Sequence, residues 1–241
     1  MCTVTYFPIS QEEFILTSNR DELPGRITLP PKIYSHYKQS LVYPKDERAG
    51  GTWIAASDKG TLVCLLNGGE FTHLHSPPYR KSRGQVVLDF FSYQETSRFF
   101  DEYFFEGIEP FTLLVVEGKN LFEFRWNAPS SSLIKLNANL PHLWSSSTLY
   151  PKNIQKKRTE WFSQWQENSS DITPDSMVNF HEAAGDGNIA YSLIMQRPNG
   201  IKTVSISQFH FKNSSYSIQY KVIETNQVFN ETIFCKNLNH Q

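Results

Sequence analysis

Four residues in the first third of the chain have the types and order that nucleophilic acyl chemistry needs: Cys2, Arg20, Asp21 and Asn67. Cys2 stands directly behind the initiator methionine in "MCTV". If Met1 is removed, that one residue supplies a thiol nucleophile and an α-amine base of pKa about 7.7–8.0. A cysteine there could equally be a small terminal residue without chemistry. Arg20 and Asp21 end a β-patterned segment in "SNRDEL", where a strand returning to the start of the chain would hold them beside Cys2. An arginine near a thiol favours the thiolate, and an aspartate can accept a hydrogen bond from an amine or ammonium. The same pair would also suit a surface ion pair at a strand end. Asn67 closes the apolar run "LVCLLNGG", where its amide could donate to an oxyanion, although Asn-Gly-Gly is also an ordinary turn.

The other chemistry-bearing side chains read more plainly. Cys64 lies among Leu and Val and predicts a buried small hydrophobe, and Cys235 sits near a polar tail. His73 and His75, in "FTHLHSPP", have one-face strand spacing but no neighbouring carboxylate in sequence, so no metal site is expected. His181 on a helical segment is expected at the surface or partly buried, with haem ligation as the sharper alternative. The run "KNIQKKR", Lys152 to Arg158, is expected on the solvated face of an amphipathic helix.

Positioning these groups takes a sizeable core. The chain has 241 residues, 39% of them hydrophobic and 14% aromatic, enough for one large domain or two small ones. A formal charge of −1 gives no global attraction to nucleic acid or anionic membrane. Three scattered cysteines suit neither a disulfide framework nor a zinc site and fit a reducing compartment, so a cytoplasmic location is expected. No transmembrane segment or signal peptide is expected, because no run reaches membrane-spanning length and the front of the chain lacks basic and apolar regions.

Strand patterns frame the chain. "CTVTYFP" and "EEFILTSN" predict a first hairpin, and "GTWIAASDKGTLVCLLNGG" a second one turning at Ser57-Asp58-Lys59-Gly60. Helical spacing follows from Tyr79 to about Tyr103. "FTLLVVEGKNLFEFRW" predicts a third hairpin, and "SLIKL" and "HLWSS" two more strands. Two helices are expected in "PKNIQKKRTEWFSQWQEN" and "TPDSMVNFHEAAG", and a final hairpin in "KTVSISQFHF" and "SSYSIQYKVIE". The order predicts a single α+β domain over residues 1–241 in four layers, two antiparallel sheets stacked face to face with helix pairs outside. Two layers would satisfy the same pattern.

The ordered set "MCTV", "SNRDE", "AGGTWIA" and "LVCLLNGG" resembles the signature of the NRDE-motif family, the transport and Golgi organisation 2 family. That family is similar to the cysteine branch of N-terminal-nucleophile hydrolases, which contains penicillin V acylase and bile salt hydrolase. The resemblance implies an αββα sandwich, with Cys2 as nucleophile, Arg20 and Asp21 beside it, and Asn67 as oxyanion donor. Asn19, Ser146 and Lys202 are the substrate-binding candidates it adds. Ser145, Ser146 and Ser147 stand where the branch has a second asparagine, and Lys202 or Arg197 where it has a late arginine. The implied activity is hydrolysis of a small non-peptide amide or thioester, with no cofactor required. The implied alternative is a haem or acyl-lipid binding and trafficking protein without catalysis.

Overall fold

The computed structural model describes residues 3–236. Its strands are β1 (Thr3–Ser10), β2 (Glu13–Glu22), β3 (Thr28–His36), β4 (Gln39–Asp46), β5 (Ile54–Ser57), β6 (Thr61–Asn67), β7 (Phe111–Glu117), β8 (Asn120–Trp126), β9 (Ser131–Leu136), β10 (His142–Ser145), β11 (Lys202–Lys212), β12 (Ser215–Val222) and β13 (Val228–Phe234). The helices are α1 (Arg83–Phe90), α2 (Thr96–Glu102), α3 (Lys152–Asn168) and α4 (Pro174–Ala183). One sheet has six strands in the order β10-β1-β2-β11-β12-β13, the other seven in the order β3-β4-β5-β6-β7-β8-β9. Every strand pairing in both sheets is antiparallel.

Alternation along each strand sorts the side chains into three apolar layers. Val4, Leu16, Leu62, Cys64, Leu114 and Phe209 meet between the sheets. Val63, Leu65, Leu113 and Phe124 cover the other face of the seven-stranded sheet against Val86, Val87 and Phe90 of α1 and Phe99 of α2. Ile15 covers the outer face of the six-stranded sheet against Phe162 of α3 and Phe180 of α4. Four layers, αββα, are the result. The expected two-sheet architecture is present, and the two-layer alternative is not.

Local chemistry explains the helix ends nearest the site. Thr173 caps α4 by accepting from the Ser176 backbone N–H at 3.1 Å, while Ser176 Oγ accepts from the Thr173 N–H at 2.8 Å, with Pro174 opening the helix. Burial along α3 falls on Ile154, Arg158 and Phe162, one helical face at intervals of four. The "KNIQKKR" expectation is therefore corrected at its last residue. Arg158 is fully buried.

Strands β3, β4 and β13 were absent from the sequence-based expectation. The helical stretch from Tyr79 to about Tyr103 holds two short helices, α1 and α2, one of the two helix pairs expected outside the sheets. Cys64 is fully buried, and burial pushes its thiol up to about 12, in keeping with a packing role. Cys235 is half-buried against the inter-sheet core. Among the described residues no helix is long and apolar enough to cross a membrane.

Candidate active site

The β1–β2 hairpin builds the centre of the site. Its register sets Thr3 opposite Asn19, so "SNRDE" runs alongside the very start of β1. Cys2 itself lies outside the described residues. Adjacent residues of β2 point to opposite faces, which divides the motif. Arg20 enters the space between the sheets, and Asp21 faces the helix layer.

Arg20 is 4% exposed and reaches across to the other sheet, donating to Asp46 Oδ2 at 2.9 Å. Its guanidinium carbon lies 4.6 Å from the centroid of the Trp53 ring, a cation–π stack. Burial pulls its pKa below the ordinary value, against the opposing pull of Glu22 and Asp46. Arg26 donates to the same Asp46 oxygen at 2.6 Å and to Glu22 at 2.9 Å, tying the loop after β2 to β4.

Asn67 ends β6 and, with Arg20, Trp53, Ser82 and Arg83, lines a cavity of about 380 Å³ at this end of the sandwich. Its backbone carbonyl accepts from Ser146 Oγ at 2.7 Å. Gly68 follows at φ +86°, where a Cβ would overlap Ser147 Oγ, so the chain can leave β6 beside the 145–147 loop only with glycine. A second, largely apolar cavity of about 430 Å³ adjoins the first. Leu23, Ile27, Ile194, Met195, Val222 and Ile223 are among its walls, and Arg26 lines both.

Asp21 sits behind this space. Its Oδ2 accepts from Tyr150 Oη at 2.6 Å and its Oδ1 from Thr203 Oγ1 at 2.6 Å. Thr203 shares a face with Asp21 because a register shift between Thr203 and Ser205 realigns β11 against β2.

Of the remaining sequence candidates, Asn19 is fully buried in the helix layer rather than in a cavity wall. Its Nδ2 donates to the Leu193 carbonyl at 2.8 Å, and its Oδ1 lies 2.5 Å from His181 Nδ1. Ser146 acts on the Asn67 backbone. Lys202 is not among the residues lining the first cavity; it lines the second and pairs with Glu224 at 3.1 Å. Arg197 lies over the Tyr150 ring with its guanidinium carbon at 5.2 Å.

Two histidine readings need correction. His181 is fully buried, with Nε2 2.8 Å from Thr5 Oγ1 and Nδ1 on Asn19, so both nitrogens are engaged and it does not fit a haem ligand. Burial, with Arg158 nearby, drops its pKa to about 3, so it is neutral. His73 and His75 do meet a carboxylate, Glu109, at 3.2 and 3.1 Å, and Arg83 pairs with the same group at 3.1 Å. Burial pushes Glu109 up, but Arg83 and the two histidines bring it below its ordinary value. Among the described residues no group of three or more His, Cys, Asp or Glu side chains could hold a metal ion.

Sequence reasoning missed Tyr150 and Arg158. For Arg158 the signal was present, since it stands four residues from both Ile154 and Phe162.

Solved structures share this architecture. A cysteine-to-alanine variant of conjugated bile acid hydrolase from Clostridium perfringens superposes with a TM-score of 0.61 at 8% identity, covering 96% of this chain and 92% of its own. A second variant of that hydrolase gives 0.61 at 8%, covering 99% and 100%. The Caenorhabditis elegans orthologue of N-acylethanolamine-hydrolyzing acid amidase gives 0.51 at 13%, covering 86% and 92%. At such identities the likeness is one of fold, that of the N-terminal-nucleophile hydrolases. Sequence comparison with curated proteins finds no match. The transport and Golgi organisation 2 family matches residues 1–185, the stretch that holds "MCTV", "SNRDE", Asn67 and α4, and the chain belongs to that family.

Proposed function

We propose that this protein is an N-terminal-nucleophile hydrolase that cleaves a small non-peptide amide or thioester through Cys2 once Met1 is removed. The observation that carries the reading is the meeting of Arg20 and Asn67 in one cavity, from two different sheets, at the end of the sandwich where β1 begins. The freed α-amine takes the thiol proton, and in this reading Asp21 fixes that amine as a hydrogen-bond acceptor. The thiolate attacks the carbonyl, and Asn67 donates to the oxyanion that forms. The amine or thiol leaves with the proton, and water then releases the acid from the acyl-enzyme. The apolar second cavity supports an acyl group as the part of the substrate held beyond the nucleophile. The fold neighbours, whose names describe hydrolysis of conjugated bile acids and N-acylethanolamines, support an amide.

The same apolar cavity favours one second reading, a carrier that holds an acyl lipid without cleaving it. The experiment that separates the two is turnover of N-acyl amides and thioesters by wild type and Cys2→Ala, with intact mass to follow Met1 and titrations of acyl-lipid and haem alongside. Hydrolysis by wild type, lost in Cys2→Ala with the fold retained, is expected. Absence of turnover across the panel, with ligand binding indifferent to the mutation, would decide for the carrier.

A further inference from the structure

We infer that Tyr150 is a positioning residue for Asp21, held to that task by Arg158. The inference rests on the hydrolase reading for the work that Asp21 performs. Neither residue is among those lining the 380 Å³ cavity, so neither acts by touching substrate. Tyr150 is 1% exposed and spends its hydroxyl on Asp21 Oδ2 at 2.6 Å. Thr203 holds the other oxygen, so two hydroxyl donors fix the rotation of the carboxylate. A carboxylate offers about four acceptor sites, and these two hydroxyls occupy one on each oxygen.

Arg158 completes the device. Its guanidinium carbon lies 3.5 Å from the centroid of the Tyr150 ring, with Arg197 beyond at 5.2 Å. It donates to the Tyr191 and Ser192 carbonyls at 2.9 and 2.7 Å. It also donates to Thr3 Oγ1, one residue from Cys2. Among the described residues it forms no ion pair, so its charge falls on the aromatic face. A cation there draws electron density from the phenol and makes its O–H a stronger donor. Arg158 on α3 thus bears on the carboxylate, through the Tyr150 ring, and directly on the first described residue of β1. A tyrosine needed only for packing would not require its hydroxyl aimed at this aspartate.

Tyr150→Phe keeps the ring and its stacking and removes the donor alone. Arg158→Lys keeps a cation, and Arg158→Met removes it. The measurements are kcat and KM on an amide or thioester that wild type hydrolyses, the rate of Cys2 alkylation by iodoacetamide followed by mass spectrometry, and thermal melting. For Tyr150→Phe we expect kcat lower by about ten- to a hundredfold and KM nearly unchanged, as for a displaced catalytic group. Cys2 alkylation should slow in parallel, with a melting curve close to wild type. Arg158→Met should move the same quantities in the same direction, with partial recovery in Arg158→Lys. If the arginine variants do not fold, Tyr150→Phe decides alone. Wild-type kcat and alkylation in Tyr150→Phe would overturn the inference, as would a raised KM with kcat intact. If wild type hydrolyses nothing, the hydrolase reading fails by itself. The alkylation comparison then still decides this one: slowed supports it, equal rates overturn it.

Discussion

Lowering the pH from 7 to 5 should weaken this fold by about 2 kcal/mol through one residue, His181. In the folded chain its pKa is about 3, because burial removes it from water and Arg158 stands nearby. In the unfolded chain it returns to about 6.5. Between those values the unfolded state binds a proton that the folded state refuses, so stability rises with pH across this window. The contribution is fully present above about pH 6.5 and is lost as the pH falls toward 3. Each pH unit inside the window is worth at most about 1.4 kcal/mol, which gives about 2 kcal/mol between pH 7 and 5. Acidic groups change stability over the same range, so the test is differential. Urea unfolding of wild type and His181→Gln should be compared at both pH values. Gln can donate to or accept from Asn19 or Thr5 but does not titrate. The variant should be less stable at pH 7, by about 1–3 kcal/mol for the lost volume and hydrogen bond. Its pH 7-to-5 loss should be smaller than that of wild type by about 2 kcal/mol. Equal losses in the two proteins would refute the argument, for they would mean that His181 takes up its proton without unfolding.

Asn67→Ala should lower kcat by about 10²–10³ with little change in melting temperature, measured on any substrate that wild type hydrolyses, whereas a change in KM alone would remove Asn67 from the oxyanion role. Ser146→Ala loses the 2.7 Å donation to the Asn67 carbonyl and the 2.9 Å contact with Thr148 Oγ1, and should cost about 1–2 kcal/mol of stability by denaturant titration. Gly51→Ala should fail by a different route: a Cβ there would overlap the backbone of Gly84, and neither segment can give way cheaply. A loss of more than about 2 kcal/mol is expected by thermal or urea melting, and a neutral variant would mean that the α1 N-terminus is free to shift.

Hairpins were the most legible part of the fold, because strand alternation and turn chemistry are both local. "SDKG" and "EGKN" each bracket their strands correctly, with Gly60 and Gly118 at positive φ. Strands β3 and β4 were not legible. "TLPPKIYSH" carries two prolines and exposed polar positions, and it is a strand only because β4 supplies its partner across a register shift. β13 is likewise half-exposed and is a strand by virtue of β12. Pairing energy comes from the neighbour, which a local pattern does not contain.

For the site, residue type and order drew attention to Cys2, Arg20, Asp21 and Asn67, and the resemblance of the ordered motifs to a known family supplied the roles expected of them. The sequence reading held Arg20 and Asp21 together beside Cys2, whereas the pleat of β2 turns these consecutive residues to opposite faces. Only the tertiary structure decided what each then meets. Arg20 finds Asp46 and Trp53 from the other sheet, and Asp21 finds Tyr150 and Thr203, 129 and 182 residues away. It also turned Asn19 and His181 into a buried pair, sent Lys202 to Glu224, and drew Arg158 under the sheet. The reason is physical. A side chain's charge and hydrogen-bonding capacity are properties of its type, but its burial and partners depend on which faces pack together, and that choice is made by the sum of contacts across both sheets.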